Sequence, residues 1–170
     1  IDFAARPAMP FDEVVLACHG DEVLPLLEAP TPVERDVFAA FRTSRNDTWL
    51  HTDSRLLPTR PAARASWNYR EHEGAEGVVL TYHMNRLQSL DASDDYCVTL
   101  KPEGLVAEAK VIAKLVYRHP IYTPDALRAQ RRWAEVSGVH RTHYCGAYWF
   151  DGFHEDGVRS ALRVAKAIGA

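Results

Sequence analysis

Tyr144-Cys145-Gly146-Ala147-Tyr148-Trp149-Phe150-Asp151-Gly152-Phe153-His154-Glu155-Asp156-Gly157-Val158 is the stretch whose reading decides the fold. It predicts a short strand over residues 143–146, an aromatic loop through Tyr148, Trp149, Phe150 and Phe153, and a helix entered after Gly152. Such a turn suits a ligand. Glycines let a backbone come close, and free amides at a helix N-terminus stabilise an anion or a carbonyl that gains negative charge. The simpler reading has Glu155 and Asp156 capping a surface helix and the aromatics in a core. Downstream, Val158, Ala161, Leu162, Val164, Ala165 and Ile168 recur at helical spacing, and Gly169 ends the helix.

Upstream, Thr123, Pro124 and Asp125 start a helix expected over residues 126–136 and stopped by Gly138. Before it lie aromatic and β-branched stretches at residues 48–53, 65–71, 78–84 and 96–100, which predict four strands of a largely antiparallel sheet. Gly74 and Gly77 mark a hairpin loop, residues 91–95 an acidic turn, and residues 111–118 a further strand that carries the chain out of this sheet. Near the beginning, Val14, Val15, Leu16 and Ala17 read as a buried strand. Val23, Leu24, Leu26 and Leu27 suggest a helical turn, limited by Pro25, and then comes a helix opened by Thr31, Pro32 and Glu34 that runs to about Phe41. Ile1 is not an initiator Met, so the chain is expected to start mid-protein.

With 170 residues, 46% hydrophobic and 25% charged, the chain is in the ordinary globular range. A net charge of −3 without a polybasic arm argues against nucleic acid. Cys18, Cys97 and Cys145 are odd in number and outside any CxxC pattern, which fits a reducing, cytoplasmic setting. No apolar run reaches the roughly 20 residues that span a bilayer, and no signal peptide is recognisable; peripheral membrane contact stays open.

The string Tyr144 to Trp149, followed by Gly152-Phe153-His154-Glu155-Asp156-Gly157-Val158-Arg159-Ser160-Ala161, resembles the closing FAD motif of the flavin-containing amine oxidase superfamily. Val14 to His19 resembles the strand by which these proteins re-enter the FAD domain. Ser66-Trp67-Asn68-Tyr69 and Thr81 to Gln88 resemble their central sheet. The resemblance implies a mixed α/β (α+β) chain, the carboxy-terminal part of a two-domain, Rossmann-type FAD-dependent oxidoreductase: residues 1–30 and 140–170 in the FAD-binding domain, residues 31–139 in a mostly antiparallel substrate domain that roofs the flavin. It implies cofactor contacts at Ala17, His19, Gly146, Ala147, Tyr148, Trp149, Gly152, Phe153, His154, Asp156, Gly157 and Val158. Trp67, Tyr69, Tyr82 and Met84 become candidates for the substrate pocket. Alternation sends Trp67 with Tyr69 to one side, and Tyr82 with Met84 to one side opposite His83.

Several positions depart from the family pattern. Ala147 stands where amine oxidases place an acidic residue, leaving Asp151 or Asp156 as substitutes, and Phe150 and Asp151 stand where a Gly and an aromatic residue are expected. No GxGxxG occurs, so the rest of the FAD domain is expected upstream or from another chain, and the isolated chain is expected to be inactive. His140, His143 and Cys145 lack a fourth partner for zinc. Cys18 is better read as core than as a thiolate beside His19. The resemblance therefore implies a dehydrogenase, oxidase or desaturase for a small or apolar substrate, with acyl lipids as one candidate class and no catalytic residue assigned. The alternative is a non-catalytic binding or interaction domain derived from such an enzyme.

Overall fold

A computed structural model describes residues 8–71 and 78–170. Thr31 and Pro32 open helix α2 (Pro32–Ala39) as expected: the Thr31 hydroxyl accepts the Glu34 amide at 3.2 Å, and the Glu34 carboxylate accepts the Thr31 amide at 2.7 Å. Ahead of it stand the three-residue strand β1 (Val14–Leu16) and the one-turn helix α1 (Val23–Leu26). Five strands follow: β2 (Arg42–His51), β3 (Trp67–Glu71), β4 (Val78–His83), β5 (Cys97–Leu100) and β6 (Val111–Ile121), with the single turn α3 (Met84–Leu87) after β4. The chain closes with α4 (Pro124–Gln130), α5 (Trp133–Val136), β7 (Thr142–Tyr144) and α6 (His154–Ile168).

The architecture is mixed α/β, with one sheet of each kind. β1 and β7 form a parallel pair in register Val14↔Thr142, Val15↔His143, Leu16↔Tyr144. The other five strands form an antiparallel sheet in the order β3-β4-β5-β2-β6. Two compact units result: residues 1–44 with 120–170, and residues 45–119. Helices α2, α4 and α5, which the sequence reading groups with the substrate sheet, belong to the first unit.

Several elements differ from expectation. β6 does not leave the antiparallel sheet; it is the edge strand beside β2. The helix expected over residues 126–136 is broken, because the amides of Arg131 and Arg132 bond three residues back and tighten the turn there. Trp133 then starts α5 buried in the core, its indole N–H on the Tyr144 carbonyl at 2.8 Å. β1 is not a buried strand: Val15 is 43% exposed, because a parallel strand with one neighbour keeps a free edge. Met84 begins a helical turn, so strand alternation ends at His83. The Gly74 and Gly77 hairpin, like Ile1, lies outside the described residues.

The core of the first unit is aromatic, with Phe38 packed 4.6 Å from the Tyr144 ring and 5.8 Å from that of Trp149. At its centre the Tyr144 hydroxyl donates to the buried Glu34 carboxylate at 2.5 Å. Burial pushes the Glu34 pKa up, but the bonds from Tyr144 and Thr31 outweigh it and hold the group below its ordinary value. Ionised Glu34 thus stabilises the fold above its unfolded pKa, and that contribution is lost as pH falls through the lower folded value. Tyr144→Phe is expected to cost about 1–3 kcal/mol and to move this acid loss to higher pH. Urea midpoints measured from about pH 3 to 7 check both, and an unchanged midpoint refutes the role assigned to the pair.

Candidate functional site

The strand–turn–helix at the end of the first unit is built by internal contacts. After β7 the backbone at Gly146 takes φ 154°, and its amide donates to the buried Ser160 hydroxyl of α6 at 3.0 Å. Residues Ala147–Trp149 form one 3-10 turn. The Gln130 side chain of α4 pins the loop by donating to the carbonyls of Tyr148 at 2.9 Å and Phe150 at 2.7 Å. Neither Gln130 nor Ser160 was singled out in the sequence; a serine inside an apolar helical stripe was the one available signal.

The two glycines expected to admit a ligand are occupied from within. A Cβ on Gly146 would fall 2.5 Å from the Tyr148 ring, and one on Gly152 would fall 2.3 Å from the Tyr122 hydroxyl. Gly157, in the first turn of α6, has nothing within 4 Å of that position. The amides of His154 and Glu155 have no carbonyl one turn back, whereas Asp156 takes the Phe153 amide on its carboxylate at 3.0 Å.

Of the expected cofactor contacts, Ala17, His19, Gly152, Phe153, His154 and Val158 are exposed, and Gly146, Ala147, Asp156 and Gly157 are half-buried. Tyr148 and Trp149 are instead core residues, packed on Phe41 at 4.8 and 5.1 Å between ring centroids. Among the described residues the Tyr148 hydroxyl and the Trp149 indole N–H are buried without a hydrogen-bond partner, and burial raises the Tyr148 pKa far above the usual range.

These observations bear on a flavin. An open Gly157 and the first-turn amides of α6 fit a neutral, polarisable acceptor, whereas the Tyr148 and Trp149 donors lie in the core and face no ligand space. Glu155 and Asp156 in the same turn repel a pyrophosphate. The residues fit the carbonyl edge or the hydroxylated chain of a flavin, and do not fit its phosphates.

The second unit carries the other candidate surface. Register pairs Trp67 with Tyr82, Tyr69 with Leu80, Leu80 with Leu100, and Tyr82 with Val98 and then Leu50, so these side chains share one face. Trp67 and Tyr69 are 52% and 68% exposed, and the Trp67 and Tyr82 rings meet edge to face at 5.9 Å. Met84 is outside this alternation.

The opposite face is buried and mixed: Asn68, Thr81, His83, Thr99 and His51 lie beside Val79 and Cys97. The Asp53 amide, which can only donate, bonds His51 Nδ1 at 3.1 Å, so the ring proton sits on Nε2 and donates to the Thr99 hydroxyl at 2.8 Å. Thr99 and Thr81 hydroxyls are 2.9 Å apart. His83 meets Asp95 at 3.0 Å, and Asp95 is held in turn by Arg64 at 2.8 Å. Among the described residues no group of three or more His, Cys, Asp or Glu side chains could hold a metal, and no helix is long and apolar enough to cross a membrane.

No protein-family model matches this chain, and no curated protein matches it.

Two outcomes are expected. Gly146→Ala forces a Cβ into the Tyr148 ring at a positive φ and should destabilise by about 1–3 kcal/mol, read as a lower melting temperature; an unchanged melting curve contradicts the geometry. Burial lowers the His51 pKa, with Asp53 partly opposing. Neutral His51 therefore stabilises above its unfolded value near 6.5, and that stability declines as pH falls below it. Replacing His51 with Gln should flatten the dependence between about pH 5 and 7 in urea titrations.

Proposed function

We propose that this chain is the carboxy-terminal part of an FAD-dependent oxidoreductase of the amine-oxidase type, acting on an apolar substrate. The observation that carries the reading is the parallel pairing of β1 with β7, strands separated by the whole antiparallel sheet and followed by a tight turn into the long helix α6. Ligands of open α/β sheets lie beyond the carboxyl ends of parallel strands, where Gly146 and the start of α6 follow β7. A parallel pair with no further strand beside it among the described residues is an unusual structure on its own, since parallel sheets are nearly always multistranded and covered. In this reading further strands of a Rossmann-type domain flank it.

The chain's own groups would act by orientation. The amides of His154 and Glu155 would donate to a carbonyl of the cofactor, and the core-anchored loop would fix their position. Bound FAD would supply the two-electron acceptor that no side chain provides. The open face with Trp67, Tyr69 and Tyr82 carries no carboxylate pair for an amine and suits an acyl or other apolar substrate.

The test is spectroscopic. The protein purified with its complete gene is expected to be yellow, with a flavin spectrum bleached by dithionite, whereas the 170-residue chain alone should give little quenching of added FAD. A colourless, flavin-free complete protein ends the proposal.

A further inference from the structure

Arg159 and Arg163 lie one turn apart on the same side of α6. Each guanidinium rests on a ring: Arg159 lies 4.1 Å from the Phe150 ring centroid, and Arg163 lies 3.7 Å from that of Trp133. Both rings are rigid supports, because Trp133 donates to Tyr144 and the Phe150 carbonyl is held by Gln130. A guanidinium held over a ring face by cation–π attraction still has N–H groups with which to donate.

Among the described residues neither arginine forms an ion pair. The nearest acids along the helix do not supply one: Glu155 stands one turn before Arg159 without bonding it, and Asp156 is spent on the Phe153 amide. Two like charges at this spacing oppose helix formation. Arg163 also gives up hydration, and its pKa is lowered by burial first and by the charge of Arg159 second. Arg128 of α4 and Arg132 at the start of α5 differ, since they are already taken by Asp125, and by Asp36 and Glu135.

We propose that Arg159 and Arg163 form a binding site for a phosphate group, the two planar forks gripping one dianionic tetrahedral oxyanion from adjacent turns of α6. The geometry suits oxygen atoms that accept from two guanidinium edges at once, which is how phosphate relieves a pair of unneutralised arginines. The site is independent of the flavin reading, because it uses neither the amides of the helix start nor the open sheet face. A free phosphomonoester and a lipid headgroup offer the same chemistry.

Inorganic phosphate titrated into the 170-residue chain, followed by arginine side-chain NMR, should give saturable shifts that an equal ionic strength of chloride does not. Arg159→Gln with Arg163→Gln keeps a planar group on each ring and should weaken phosphate binding by at least about tenfold. Arg159→Lys with Arg163→Lys keeps both charges without the fork and should also bind more weakly than the arginine pair. Retention on phosphatidylglycerol vesicles that the glutamine pair abolishes would assign the phosphate to a headgroup; phosphate binding without retention would assign it to a soluble ligand. No saturable binding, a glutamine pair that binds as before, or a lysine pair that binds equally well overturns the proposal.

Discussion

A carboxylate taken out of water is costly unless its lone pairs are used, and Glu34 uses them on three donors: the amide and hydroxyl of Thr31 and the hydroxyl of Tyr144. Through the first two it starts α2, and through the third it fixes β7 against that helix. Tyr144 passes the constraint on, since its carbonyl receives the Trp133 indole N–H and its ring stacks on Phe38. The loop after β7 inherits its position from this core, with Tyr148 and Trp149 against Phe41 and Gln130 holding the backbone. Candidate cofactor geometry in this unit is therefore a consequence of packing, and a change at Glu34 acts on the loop without touching it.

The sheet of the second unit buries a polar network among apolar groups. Beside Val79 and Cys97, its buried face carries histidine, threonine and asparagine whose hydrogen bonds are largely satisfied among themselves, while Trp67 and Tyr69 stand exposed on the other face. Burying polar groups is tolerable because the network is connected from Asp53 through His51 to Thr99 and Thr81. Leaving aromatic groups in water has no such compensation within the unit. A contiguous apolar face is the kind of surface that meets a ligand or another protein layer.

The elements legible in the sequence were those with local signals. Thr31-Pro32 and Thr123-Pro124 mark helix starts, Gly169 marks a stop, and the four aromatic stretches became strands within a few residues. Alternation separated His83 from Tyr82 but could not place Trp67 and Tyr69 relative to them or say which face would be covered, because both depend on pairing with residues elsewhere in the chain. The fate of β6, the break before Trp133 and the burial of Tyr148 and Trp149 were hidden for the same reason. Each is decided by a long-range partner: the edge of β2, the carbonyl of Tyr144 and the ring of Phe41. Gly146 and Gly152 were legible as special positions, yet the rings of Tyr148 and Tyr122 occupy the space expected for a ligand.

Charge along α6 separates two kinds of anion recognition that a helix start alone would confuse. Glu155 and Asp156 already oppose the partial positive charge of the first turn, so what those amides still offer is hydrogen bonding to a neutral acceptor rather than attraction for a dianion. Arg159 and Arg163 stand further along, where the helix dipole has faded and gives cations no particular advantage. Their charges are thus balanced neither by the helix nor by a carboxylate, while their rings are fixed by the core. A helix that neutralises its own N-terminus and leaves two guanidinium groups unneutralised beyond it has moved its demand for negative charge off the turn that follows β7. In the flavin reading proposed above, that division would leave the helix start to a neutral acceptor without competition from phosphate.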